Sequence, residues 1–482
     1  MTLSGPAAAP ELHALVTSIG GHSAAEIVEH AAQLERYRAD VRRALSTSHL
    51  VTVASELSRA LRCDLGTLEA LGVPVDLLEC FPGWRSGSRS SFQPGASDLR
   101  LAPSGASVPL ETVRLQLSPA SGTIPYALLL LRDLLRVLDP ATRFVVVVEP
   151  GANLDALNAL ATRFHPAAAA RVRFVPLRCI TVFAQDNARA ARDRDGRPVM
   201  LVPRGFGAGG HRAEDELDPA GAEHAFGVRV LRSRLFWEGG NVVHDAVRCL
   251  VGVDTLAENA ARLGLAFEEV IAMLAGEFGV PVTPLGRASA SRFDPMTGRQ
   301  AESGQASFHI DLDVSLLGQV GRGRRPRALV ADAARGLDYV AAVLGVRRLI
   351  SGHFLPPADI RRHLRAEYEA SAEARHPLLR EYASLVEGLG YRVIGMPDLR
   401  IAPEMDVFQR VSLDFGFCNV LPGLRRGRPA VAHFVSGVRA LDADAGRRFR
   451  LAGVAPVPVC APEVASALRL LQGGLHCCVG TM

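Results

Sequence analysis

Lysine is absent: the 54 basic side chains of this 482-residue chain are all arginines. That excludes a Schiff-base lysine and the lysine of a phosphate-binding P-loop. An excess of charge of one sign is also missing, with 50 acidic residues against those 54 and a formal net charge of +4. So small a charge on so large a surface argues against a dense phosphate-binding face, and no nucleic-acid partner is expected. No apolar run approaches the roughly 18 residues that span a bilayer, so no membrane segment is expected. The start, MTLSGPAAAPELHALV, lacks the basic and long apolar stretches of a signal peptide. The eight cysteines (Cys63, Cys80, Cys179, Cys249, Cys418, Cys460, Cys477 and Cys478) include no C-x-x-C pair, which suits reduced thiols and a cytoplasmic setting.

What is present is a large apolar fraction, 48% of the residues. Residues from about Glu11 to Leu78 show apolar positions at helical spacing, with Ser23 as an N-cap candidate. FPGWRSGSRSSFQPGASD, Phe81 to Asp98, has the Gly, Ser and Pro content of a linker or long loop. These observations divide the chain into a helical N-terminal extension with linker, residues 1–100, and an α/β region, residues 101–482. In the second region short apolar runs such as FVVVVEP, VRFVPL, VMLVP, RCLVGVD, RALVADA and GYRVIGMP alternate with helical segments such as PYALLLLRDLLRVL and TLAENAARLGLAFEEVIAMLAGEF. Apolar strands flanked by helices favour an α/β architecture. The recurrence of helix, Gly and a strand ending in Pro hints at repeated modules.

Several motifs carry candidate chemistry. FHIDLDVSLL, read as a strand, places His309, Asp311 and Asp313 on one face. Either a half-exposed strand or a His–carboxylate pair for acid–base work fits it. FWEGGNVVHD sets Glu238 before a double Gly that implies close backbone approach. ITVFAQDNARA sets Asp186 at the end of an apolar run, and LQGGLHCCVGTM sets two thiols after another Gly pair. GFGAGG, Gly205 to Gly210, is followed by a segment too polar for a dinucleotide-binding helix and reads as a loop. GRGRRPR, Gly321 to Arg327, reads as a solvated basic loop. No metal-ligand spacing is present, so no metal or cofactor is expected.

In this order, the motifs FAQDNA, WEGGN, FHIDLD and GGLHCC resemble those of the guanidino-group-modifying superfamily, closest to its agmatine and protein-arginine deiminases. The resemblance runs from about Leu110 to the C-terminus. It implies a pentein fold, a five-fold pseudosymmetric α/β propeller. It implies that Asp186 and Asp311 grip a guanidinium, Cys477 attacks its carbon, His309 moves protons and Glu238 supports either partner. Trp237, Asn241 and Asn419 would join the substrate site, Asn419 matching the Asn of the family's Y-x-N stretch. The implied reaction is hydrolytic deimination of a small-molecule or peptide guanidino group to a ureido product and ammonia. Amidino transfer, dihydrolase chemistry and non-catalytic guanidinium binding stay open, as does a homodimer. Gln185 stands where free-arginine and agmatine deiminases carry Arg, which favours a peptide or modified arginine. Three further expectations follow: residues 205–219 cover the mouth, Cys477 rather than Cys478 faces the site, and adjacent residues in an extended C-terminal segment separate the two thiols.

Overall fold

Valine-rich strands buried on both faces must be covered by helices, and the chain meets this with one connection used repeatedly. The computed structural model describes residues 99–482, apart from 119–123, 179–180, 206–216, 218, 295–298, 322–324, 346–357, 401–413 and 470–472. Residues 1–98 of the N-terminal extension and linker lie outside the described residues. So do most of the GFGAGG loop, most of residues 205–219 and the centre of GRGRRPR. Arg100 pairs with Arg192 as part of the first sheet.

Five of the six sheets among the described residues share one pattern, in which a strand pairs antiparallel with the next; the sixth is the two-stranded Arg292–Asp294 and Arg299–Glu302. In the shared pattern one or more helices follow, and a third strand then pairs in parallel with the second. The connection runs Arg189–Arg192, Pro198–Val202, helix Pro219–Phe226, Arg229–Arg232. It recurs through Val242–His244, Cys249–Gly252, helices Val253–Leu263 and Phe267–Phe278, and Val282–Leu285. It recurs again from Val314–Gly318 to Arg392–Pro397, the crossover including the long helix Ala358–Gly388. Leu421–Arg425, Arg428–Phe434, helix Arg439–Leu451 and Ala455–Val459 form a fourth copy. In the last copy the chain's end, Gly480–Thr481, pairs with Thr112–Leu117, which crosses through helix Ile124–Val137 to Arg143–Val148. The repeated modules expected from the sequence are present. They form separate sheets, and no closed sheet occurs among the described residues. Four of the leading strands, at Arg189, Val243–His244, Val314–Leu316 and Pro422, line one narrow cavity together with Asp311 and His476. No helix among the described residues is long and apolar enough to cross a membrane.

Several local expectations are corrected. The run TLAENAARLGLAFEEVIAMLAGEF is two helices, broken at Gly264, whose φ of 65° caps the first in the left-handed region. No strand covers residues 181–186, so Asp186 sits in a turn. FHIDLDVSLL is a strand only from Val314; Ile310–Leu312 is a turn of 3₁₀ helix with His309 before it and Asp313 after it. The cause is the direction in which each side chain must point. A strand would aim His309, Asp311 and Asp313 one way, whereas a 3₁₀ turn has about three residues per turn and fans them out.

Asp313 uses that freedom to leave the others and join a buried ion network. It accepts from Ser307 Oγ (2.8 Å), Arg375 NH2 (3.0 Å) and Arg400 NH1 (3.2 Å). Asp398 completes the quartet, 2.7 Å from Arg375 and 2.6 Å from Arg400. Arg375 also donates to the Ala306 carbonyl (3.1 Å), and Arg400 to that of Leu312. Two arginines thus clamp both ends of the 306–313 segment. Arg375→Met would leave two buried carboxylates short of a cation. We expect a loss of about 3–5 kcal/mol of unfolding free energy, read by denaturant titration.

Candidate active site

His309 is the centre of the cluster. It is 3% exposed, so each polar contact to it counts. Its Nε2 lies 2.5 Å from Glu238 Oε2, and its Nδ1 lies 4.0 Å from Asp186 Oδ1. The two glycines after Glu238 make this possible. A Cβ on Gly240 would lie 2.2 Å from His309 Nδ1, and one on Gly239 would lie 2.0 Å from the Gln185 carbonyl oxygen. The E-G-G turn therefore presses its backbone against both the imidazole and the Asp186 loop. Asp186 returns the contact: its carbonyl accepts from Gly239 N–H (3.0 Å) and its Oδ1 from Gly240 N–H (3.3 Å). The loop is tied in turn to the strand Thr112–Leu117, where the buried Arg114 donates to the Ala184 carbonyl and to Asn187 Oδ1 (2.6 Å).

On the other side stand Asp311 and Cys477. Cys477 Sγ lies 3.7 Å from Asp311 Oδ2, which is also 2.7 Å from His476 Nδ1. Asn419 fixes the turn that carries the thiol. Its Oδ1 accepts from His476 N–H (2.7 Å) and Cys477 N–H (3.3 Å), and its Nδ2 donates to Cys477 Sγ (3.2 Å). A Cβ on Gly474 would lie 2.3 Å from that same Oδ1, so this second Gly pair also serves close approach. Leu475–Cys478 is a helical turn rather than an extended segment, so about 100° rather than 180° separates the adjacent thiols. That is enough: Cys478 packs in an apolar core with Val113, Leu115 and Leu475, while Cys477 turns toward Asp311.

Burial pushes the Cys477 thiol well above its usual range, and the Asp311 and Asp186 charges push it further. Burial alone would lower His309, but Asp186, Glu238 and Asp311 outweigh it and raise the imidazole to about 9. Burial would raise Asp311, yet its bond to His476 and the charges of His476, His309 and Arg189 bring it below the ordinary carboxylate range. His309, Asp311 and Cys477 hold ligand atoms within 4.8 Å of one another, as do Asp186, Glu238 and His309.

Three of the residues expected to touch substrate make structural contacts. Trp237 is 1% exposed and packs edge-on against Phe278 at 6.0 Å, inside a core. Asn241 accepts from Gln305 Nε2 (3.0 Å) and Ile310 N–H (3.3 Å) and donates to the Phe308 carbonyl (3.1 Å), so it holds the His309 segment. Asn419 likewise acts on the thiol's backbone.

The sequence reading missed Arg189. Fully buried, it donates to the carbonyls of Gly239 and Val242 and sits within the field of Asp311 and Asp186; burial lowers it to about 10. With the Gln185 amide oxygen turned toward Arg189 and His476 Nε2 (3.2 Å), its NH₂ donates to the Val479 carbonyl (3.1 Å). The only signal was an arginine three residues after Asp186, in an alanine-rich run.

No family model and no curated protein sequence matches the chain. Solved structures do. One, provisionally named a peptidyl-arginine deiminase, superposes with a TM-score of 0.50 at 12% identity over 80% of this chain and 98% of its own. Another, provisionally named an agmatine deiminase, gives 0.48 at 14% over 80% and 96%. The agmatine deiminase of Enterococcus faecalis gives 0.44 at 13% over 80% and 95%. The first likeness shows a shared fold; the two weaker ones carry no argument. The fold so shared is α/β, as the alternation of strands and helices leads one to expect. Identities this low leave the activity to be argued from the site.

Two outcomes test this geometry. Gly240→Ala forces the His309 ring to move, and we expect about 1–3 kcal/mol of destabilisation from overpacking. The raised His309 value also has a sign. Its folded value of about 9 lies above the unfolded value of about 6.5. Its stabilisation is therefore complete below about pH 6.5 and is lost as pH rises through about 9. Thermal melts should fall across that window in the native protein and flatten in His309→Asn.

Proposed function

We propose that this protein hydrolyses a guanidino group through a covalent intermediate on Cys477. The observation that carries the reading is one buried cluster: a thiol 3.7 Å from one carboxylate, with an imidazole 2.5 Å from another. A guanidinium is planar, cationic and a poor electrophile. It needs carboxylates to hold it, a strong nucleophile and an acid for the departing amine.

In this scheme Asp186 and Asp311 bind the guanidinium nitrogens. The Cys477 thiolate attacks the central carbon and forms a C–S bond. His309, which keeps its proton to about pH 9, gives it to the departing nitrogen, and the C–N bond breaks with release of ammonia. The same imidazole then takes a proton from water, whose oxygen attacks the amidino carbon. The C–S bond breaks, leaving a ureido product and the free thiol. Glu238 holds His309 in place throughout. The high thiol pKa of the free site fits activation by the substrate itself, because a cation between Asp311 and Cys477 cancels the field that opposes the thiolate.

Gln185 in place of Arg supports a peptide or modified arginine over agmatine. Amidino transfer to an amine is the second reading. It uses the same first half-reaction and differs only in the group that releases the amidine. A non-catalytic binder has no need of a thiol aimed at Asp311.

Ammonia release from a panel of arginine derivatives, peptidyl-arginine and agmatine tests the reading. We expect release from at least one of these, with the ureido product. Cys477→Ser should abolish it and Cys478→Ser should leave most of it. Full activity in Cys477→Ser contradicts the scheme. In the substrate complex, where the bound cation favours the thiolate, kcat should fall at alkaline pH as His309 loses its proton; a kcat still rising there would remove His309 as the acid.

A further inference from the structure

Phe308 stands immediately before His309 and is 50% exposed, the one aromatic among the strongly exposed large apolar residues of the described chain. A lone exposed apolar side chain is ordinary on a loose loop. This one is not on a loose loop. The Phe308 carbonyl accepts from Asn241 Nδ2 (3.1 Å) and Gln305 Nε2 (3.4 Å). Ser307 is bonded to Asp313 (2.8 Å) and to Arg400 (2.7 Å). The Phe308 ring centroid lies 4.5 Å from that of His309, tilted by 41°. Glu238, the other partner of His309, is the least buried of the site's carboxylates, its side chain 23% exposed against 1% for Asp186 and 2% for Asp311. Glu238 and Phe308 are therefore the exposed groups next to His309, and a rigid backbone holds the phenyl ring there in water.

We infer that Phe308 determines specificity by packing its ring on the apolar stem that carries the guanidinium. The inference rests on the guanidino reading of the site. A guanidinium gripped between buried carboxylates must send its substituent out to solvent, and on this inference its first methylenes pass the ring. Presenting the ring on a fixed backbone lowers the ordering cost of the contact. The preferred substrates are N-alkyl guanidino compounds with a stem of several methylenes, as in an arginine side chain, over short guanidines.

The test compares binding of methylguanidine and butylguanidine, by calorimetry on the Cys477→Ser protein, where turnover plays no part. The butyl compound should bind more tightly, and Phe308→Ala should cut the butyl-to-methyl affinity ratio about tenfold. Phe308→Leu should restore much of it, and Val247→Ala, at an exposed site elsewhere, should not change it. The kcat/KM ratio for the same pair, in proteins that keep Cys477, should follow through KM. An unchanged ratio in Phe308→Ala, or equal loss for both ligands, overturns the role of Phe308. Selective binding without ammonia release from any guanidine overturns the hydrolytic reading and leaves this role standing. Binding of neither ligand overturns both.

Discussion

Buried carboxylates must be matched by buried cations, and in this protein arginine is the only permanently charged residue that can do it. The matching is done twice, to different degrees. Around Asp313 and Asp398 it is complete: two arginines face two aspartates and share their hydrogen bonds with Ser307 and two carbonyls. Around His309 it rests largely on imidazoles. Asp186, Glu238 and Asp311 meet one buried guanidinium, Arg189, and two imidazoles, His309 and His476. The thiol beside them is held above its usual range by burial first and by the Asp311 and Asp186 charges second. A planar cation beside those carboxylates is the ligand that would offset the second effect. The quartet and the cluster share the 306–313 segment, so the ion network holds the cluster in register.

Which parts of this were legible in the sequence follows from what each part requires. The Gly pairs were legible, because only a missing Cβ lets the Glu238 turn touch His309 and the thiol turn touch Asn419. The alternation of strands and helices was legible from apolar runs, and the repeated connection gave it away in its recurring Gly and Pro. The course of the backbone through the site was not. His309 and Asp311 looked like one face of a strand, and the structure puts them around a 3₁₀ turn. Cys477 and Cys478 looked like an extended pair and form a helical turn. In both places the polar side chains choose the backbone, since each needs a different partner across the interior, and periodicity carries no information about partners from other modules. Arg189 was hidden for the same reason: its partners are carbonyls fifty residues away. Trp237 and Asn241 were drawn into the expected site by adjacency to Glu238, but one supports a core and the other a backbone segment.

The resulting picture assigns the protein's fold to rigid presentation. Asn241, Asn419 and Gln305 hold main-chain groups around His309 and Cys477. Arg375 and Arg400 hold the ends of the His309 segment. In the proposed scheme the groups that meet a ligand are two buried aspartates, a histidine with its glutamate, a thiol and the Phe308 ring.

The central claim is that burial together with the Asp311 and Asp186 charges suppresses the thiolate until a cation fills the site. Titrating Cys477, by the rate of alkylation against pH or by thiolate absorbance, with and without a saturating unreactive guanidinium, tests this most directly. The Cys477 adduct is identified by mass spectrometry, so that Cys478 does not contribute. The account predicts a thiol that ionises well above the ordinary range in the free protein and markedly lower in the complex. The same titration curve in both states would contradict it.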